Sequence, residues 1–121
     1  MNNILFKTPS SSEEFKKYDL FRWKILRKPL GKSIESLKDE YEDSSYHLIG
    51  VIDNKIIACG RLHFNNAYEA QIRYMAIDEH FQRKGIGVKV TELIESEAKK
   101  KQINKIVLNA SCLLYTSPSP R

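Results

Sequence analysis

The chain has 121 residues, 41% hydrophobic and 29% charged, with a net charge of +5, which is enough for one globular domain and short of two. It holds no run of about 18 apolar residues that could cross a membrane, and MNNILFKTPSSSEEF has neither the basic start nor the apolar core of a secretion signal. Cysteine occurs only at Cys59 and Cys112, which rules out a disulfide framework and predicts a cytoplasmic protein.

In chain order, residues 4–7 form a short strand candidate. Ser11 with Glu14 fits a capping box, and Phe15, Tyr18, Phe21 and Ile25 follow at helical spacing, so a helix starts there and stops before Pro29 and Gly31. Residues 33–45 are polar and acidic, with one weak helical turn around Ile34 and Leu37. Residues 46–52 and 56–64 read as a hairpin around the turn Asp53-Asn54-Lys55. Residues 69–77 make a third strand, with Ile72, Tyr74 and Ala76 expected on one face and Gln71, Arg73 and Met75 on the other. A glycine-containing loop follows. Beyond it, Ile86, Val90, Leu93, Ile94 and Ala98 mark one side of a helix whose basic end, Lys99 to Lys101, suits the negative pole of its dipole. Residues 105–110, KIVLNA, read as a final buried strand. The order is β-α-(α)-β-β-β-α-β. It predicts an α/β or α+β fold with a mixed sheet, antiparallel through the hairpins and parallel across the glycine loop.

The loop carries the chemistry. Residues 82–87 read Q-x-x-G-x-G between a strand and a helix. The Walker pattern is absent, and the dinucleotide fingerprint fails because Val90 stands where a third glycine or alanine is needed. What remains is a helix N-terminus with unpaired amides and a positive dipole end, glycines at 85 and 87 that let an anion approach the backbone, and Arg83 and Lys84 at the mouth. A plain strand-to-helix turn would also use such glycines. Strand, glutamine, two bases and amphipathic helix in this order favour phosphate binding.

The stretch IRYMAIDEHFQRKGIGVKVTELIESEAKKKQINKIVLNA resembles the core of the GNAT superfamily of acyl-CoA N-acyltransferases, and FRWKILRKPLG and IIACGRLHF are similar to the family's N-terminal half. The resemblance covers residues 4–110 and implies a GNAT-like mixed sheet that lacks the usual final helix and strands. It implies acetyl-CoA as co-substrate. Its pyrophosphate would lie on the backbone amides of Arg83, Lys84, Gly85, Ile86, Gly87 and Val88, with Gln82 shaping the turn. Its pantetheine arm would pair with the main chain of Met75, Ala76 and Ile77, and the Met75 amide would polarise the thioester carbonyl. The function implied is direct acetyl transfer to an amine, either a small molecule or a protein amino group; a CoA-binding module without turnover is the alternative.

Where the family often has a catalytic glutamate this chain has Gln71, which can hold a water but cannot be a base. Glu69, two residues earlier on the same face, is a candidate base. Asn109 matches a common family asparagine near the cofactor thiol, and the tyrosine stretch that usually supplies the acid is absent. His47, His63 and His80 lack the companions of a metal site, so no metal is expected, and Cys59 reads as core. Arg22, Trp23 and Arg27 lie on the helix that borders the acceptor groove in the family, with Trp23 expected in the core. The acidic group Asp39, Glu40, Glu42 and Asp43 reads as solvated surface, with attraction of a cationic amine as the other reading. Neither an aromatic-and-basic stripe nor a helix-turn-helix signature supports a nucleic-acid partner.

Residues 112–121, CLLYTSPSPR, match codon by codon the translation of a transposase adaptor used in sequencing libraries. Residues 1–110 are therefore expected to be an N-acetyltransferase domain incomplete at its C-terminus, and residues 111–121 a non-native tail. Without Arg121 the net charge is 19 minus 15, or +4.

Overall fold

The computed structural model describes residues 4–108; Asn109 and the adaptor-like tail lie outside them. The described residues form a five-stranded sheet in the order β1-β2-β3-β4-β5. Its strands are β1 (Leu5–Lys7), β2 (Tyr46–Ile52), β3 (Lys55–Phe64), β4 (Glu69–Ile77) and β5 (Lys105–Leu108). The first four pair antiparallel and β4 pairs parallel with β5, the mixed sheet expected from the chain order. Helix α1 (Ser12–Leu26) covers one face and α2 (Ile86–Lys100) the other.

Local chemistry sets most boundaries. The Glu14 amide donates to Ser11 Oγ at 3.1 Å, so Ser11 caps α1 as expected. The reciprocal half of the box is displaced by one residue: Glu14 Oε1 accepts from the Ser10 amide at 2.9 Å. Lys7 and the Ser10 amide hold the Glu14 carboxyl down at about 2. Asp53 and Asn54 take φ of 50° and 65°, the paired left-handed turn whose twist matches a tight hairpin. The weak turn foreseen near Ile34 is a single 3-10 turn, Ile34–Leu37, anchored by the fully buried Leu37.

Leu48, Leu62, Ala70, Ile72, Met75 and Ile77 pack with Ile86, Val90, Ile94 and Ala98 in the core under α2. Gly60 permits this contact. A Cβ there would meet Ile94 Cδ1 at 2.7 Å and Val90 Cγ1 at 3.0 Å. The core under α1 is smaller, with Tyr18, Ile49, Ile56, Cys59 and Ala76. Cys59 is buried, as expected, and donates to the Tyr74 carbonyl at 3.3 Å. No helix among the described residues is long and apolar enough to cross a membrane.

One expectation about β4 fails. Cys59 pairs with Ala76 but Arg61 pairs with Arg73, so β4 carries one more residue than β3 across this interval. The extra residue is accommodated as a bulge at Tyr74, whose φ is +55°. The bulge resets the alternation. Ile72 faces α2, while Tyr74 and Ala76 face α1. Gln71 and Arg73 also lie on the α1 side, and Met75 lies opposite, in contact with Thr91.

Candidate active site

The site is built where β4 runs out and α2 begins. Parallel pairing to β5 covers only Glu69 to Ile72. Residues 73–77 therefore have β3 on one side and, among the described residues, no strand on the other. This edge contains the main chain of Met75, Ala76 and Ile77.

The chain then turns through the loop under tight local control. The Asp78 amide donates to the Ile57 carbonyl at 2.8 Å, and Asp78 Oδ1 accepts from the His80 amide at 2.9 Å. Gln82 Nε2 donates to the Ile77 carbonyl at 3.0 Å, tying the loop back to the end of β4. Arg83 and Gly85 adopt φ of +65° and +78°. A Cβ at Gly85 would meet nothing within 4 Å, so glycine is required there by backbone conformation and not by space. The first helical bond of α2 runs from the Lys89 amide to the Gly85 carbonyl. The amides of Ile86, Gly87 and Val88 thus precede the intrahelical ladder, where a helix binds anions. Arg83 and Lys84 are exposed beside them.

Gln71 and Glu69 lie further back on β4. At about 3.3 Å per residue, Gln71 is about 13 Å and Glu69 about 20 Å along the strand from Met75. Glu69 is engaged: Asn65 Nδ2 donates to its Oε2 at 2.8 Å and Lys105 Nζ stands 3.7 Å from Oε1. The contacts continue inward with one polarity. His63 Nε2 donates to Asn65 Oδ1 at 3.0 Å, because Arg61 Nη2, which can only donate, occupies His63 Nδ1 at 3.2 Å. Burial and then the Arg61 charge hold the His63 imidazole below its ordinary pKa. His63 pairs across strands with Gln71 and stacks on Tyr41 at 4.3 Å.

This chain leads into a buried ion cluster that the sequence did not disclose. Arg22 and Arg61 are fully buried. Glu42 accepts from both: Arg22 Nη2 reaches Oε2 at 2.7 Å and Arg61 Nη1 reaches Oε1 at 3.1 Å. Asp39 takes the fork of Arg61 at 2.8 Å on both oxygens, and Asp19 takes Arg22 at 2.6 Å. The Arg61 hydrogen bonds hold Asp39 below the ordinary carboxylate range. Burial raises Glu42, but the hydrogen bonds and charge of Arg22 outweigh it and the carboxyl stays low. Reading the 39–43 run as solvated surface therefore fails for Asp39 and Glu42 and holds for the exposed Glu40 and Asp43. Arg22 is an interior strut. Trp23 is half-buried and not core; its Nε1 donates to the Lys32 carbonyl at 2.8 Å. His47 is buried and satisfied on both nitrogens. No cluster among the described residues could hold a metal ion. A signal for this cluster exists only in retrospect: Arg22, Arg61 and the Asp39–Glu42 pair belong to three separate segments, and no local pattern links them.

The chain's relatives share its fold. The profile of the acetyltransferase (GNAT) family matches residues 3–116. A GNAT family acetyltransferase from Elizabethkingia anophelis, crystallised with acetyl-CoA bound, is 25% identical and superposes with a TM-score of 0.73 over 95% of this chain and 72% of its own. A predicted acetyltransferase from Clostridium acetobutylicum, also solved with acetyl-CoA, gives 0.70 at 16% identity, covering 89% of this chain and 81% of its own. A GNAT acetyltransferase from Staphylococcus aureus gives 0.73 at 14% identity over 89% and 74%. The last two likenesses concern the fold alone. With its profile match, its mixed sheet and its loop at the head of α2, this chain belongs to the GNAT acetyltransferase family.

Proposed function

We propose that the protein is an N-acetyltransferase that uses acetyl-CoA as co-substrate and passes the acetyl group directly to an amine on a small molecule or a protein. One observation carries this reading: the edge of β4 at residues 73–77 leads straight into the amide-rich turn at residues 82–88. The pantetheine arm adds to that edge as a strand would, along Met75, Ala76 and Ile77. The pyrophosphate takes the amides of Arg83, Lys84, Gly85, Ile86, Gly87 and Val88, while Gln82 keeps the turn closed against Ile77. The Elizabethkingia and Clostridium relatives, each solved with acetyl-CoA, support the choice of cofactor.

In this reading the Met75 amide polarises the thioester carbonyl. The amine nitrogen forms a bond to the carbonyl carbon, the C–S bond breaks, and the thiolate takes up a proton. The proton lost by the amine passes along a file of waters that runs past Gln71 to the carboxylate of Glu69, two residues further along the same face. Asn109 is assigned to the cofactor thiol by the family resemblance.

The test is thiol release from acetyl-CoA with a panel of amines, on the full chain, comparing Glu69→Gln and Gln71→Ala. Turnover that falls about tenfold to a hundredfold in Glu69→Gln, with acetyl-CoA affinity kept, supports this route. Unchanged turnover removes Glu69 from it. A second reading, a CoA-binding module without turnover, is favoured by Gln71 itself and by the engagement of Glu69 with Asn65 and Lys105. Acetyl-CoA binding without thiol release for any amine would select it.

A further inference from the structure

Four guanidiniums converge on one aromatic ring. The Cζ atoms of Arg61, Arg73, Arg27 and Arg22 stand 4.5, 4.8, 5.1 and 5.8 Å from the centroid of Tyr74, the bulge residue of β4. Like charges this close need counter-charge, and the carboxylates at hand are shared unevenly. Arg22 has Asp19 and Glu42, and Arg61 has Asp39 and Glu42. Arg73 has, among the described residues, only a longer contact with Asp39, at 3.6 Å. Arg27 has no carboxylate within 4.0 Å among the described residues; its Nη1 donates to the Leu26 carbonyl at 3.4 Å.

The donors tell the same story. The Nε atoms of Arg22, Arg61 and Arg73 are all buried and meet no acceptor among the described residues. Buried donors in folded proteins are nearly always matched, and of these three only Arg73 Nε belongs to a side chain that solvent reaches, so it is the one that an acceptor beyond the described residues can satisfy. Access is uneven as well. Arg22 and Arg61 are fully buried, while the side chain of Arg73 is 31% exposed and Arg27 is half-buried. The two least compensated guanidiniums are the two that solvent can reach.

We infer that Arg27 and Arg73, flanking Tyr74 at the β4 bulge, bind an oxyanion carried by the acceptor, so that the acceptor is an amine bearing a carboxylate or a phosphate. This rests on the acyl-transfer reading for its location, since Tyr74 directly precedes Met75. The guanidinium fork fits both anions and binds them by charge-assisted hydrogen bonds, and contact with the Tyr74 ring holds the forks in place when the site is empty of acceptor.

The experiment is calorimetric titration of the full chain with malonate and with inorganic phosphate at constant ionic strength, beside a titration with acetyl-CoA. The expected result is one-to-one binding of either anion, weakened about tenfold by Arg73→Gln and by Arg27→Gln, with acetyl-CoA affinity unchanged in both variants. The anion that binds distinguishes carboxylate from phosphate. If neither binds at millimolar concentration, or if binding ignores both substitutions, the inference is overturned. Failure of acetyl-CoA to bind the unsubstituted chain would count against the cofactor reading instead, because the anion titrations do not depend on it.

Discussion

The Tyr18 hydroxyl donates to His47 Nδ1 at 2.6 Å, and the direction of that bond is forced by the other side of the ring. His47 Nε2 lies 2.8 Å from the Glu42 carbonyl, which can only accept, so Nε2 carries the proton and Nδ1 is the acceptor. The pair links α1 to β2 beneath the ion cluster, and both side chains are buried. Removing the hydroxyl in Tyr18→Phe leaves a buried imidazole nitrogen unmatched, at a cost of about 1–3 kcal/mol. Urea denaturation measures it; a loss too small to resolve would show that the bond is not made.

The two buried histidines make stability pH-dependent. Burial is the main cause that holds both His47 and His63 below the ordinary value of 6.5. The unfolded chain thus binds protons that the folded one refuses. Their contribution is complete above 6.5 and is lost as pH falls below it. Asp39 and Glu42, also held low, add a second loss as pH falls through the ordinary carboxylate range. The melting temperature should therefore drop between about pH 7 and about pH 5, and His47→Gln should flatten that drop. A melting temperature indifferent to this range would contradict the buried placement of both rings.

Glu42 is the shared anion of Arg22 and Arg61, and its loss leaves two fully buried guanidiniums short of charge. Glu42→Gln should cost about 3–5 kcal/mol. Lys17, which approaches Glu13 at 3.9 Å on the exposed face of α1, provides the contrast: Lys17→Ala should change stability by less than about 0.5 kcal/mol. Chemical denaturation of the two variants side by side is the check. Equal effects would mean that the cluster is solvated in solution.

What could be read from the sequence was local. Ser11, the Asp53-Asn54 turn, the end of α1 before Pro29 and the loop at 82–87 are each set by residues within a few positions of one another, and all appear where expected. The features that were missed join distant segments. Arg22 looks like any charged residue on an amphipathic helix until Glu42, 20 residues on, is seen against it. The bulge at Tyr74 left no trace in QIRYMAI, because large or apolar residues stand on both sides of it and the two-residue period reads on unbroken. The same bulge decides which β4 side chains share the face of Arg27, so the guanidinium group around Tyr74 was hidden with it.

Gly60 tests the packing of β3 against α2. Gly60→Val would drive its branched side chain into Ile94 and Val90, which already lie within 3.0 Å of a Cβ at that position. The expected loss is about 1–3 kcal/mol, read as a lower urea midpoint. Full stability would mean that α2 sits further from the sheet.

Whether the turn at the head of α2 grips the pyrophosphate of acetyl-CoA is tested most directly by calorimetric titration of acetyl-CoA into the full chain and into Gly85→Ala. A side chain at the left-handed Gly85 (φ +78°) strains the turn by about 1–2 kcal/mol and swings the amides of residues 85–88 out of register. The expected result is one-to-one binding by the unsubstituted chain and about tenfold weaker binding by Gly85→Ala, with helix content retained. Acetyl-CoA that fails to bind, or binds both proteins equally, would contradict it.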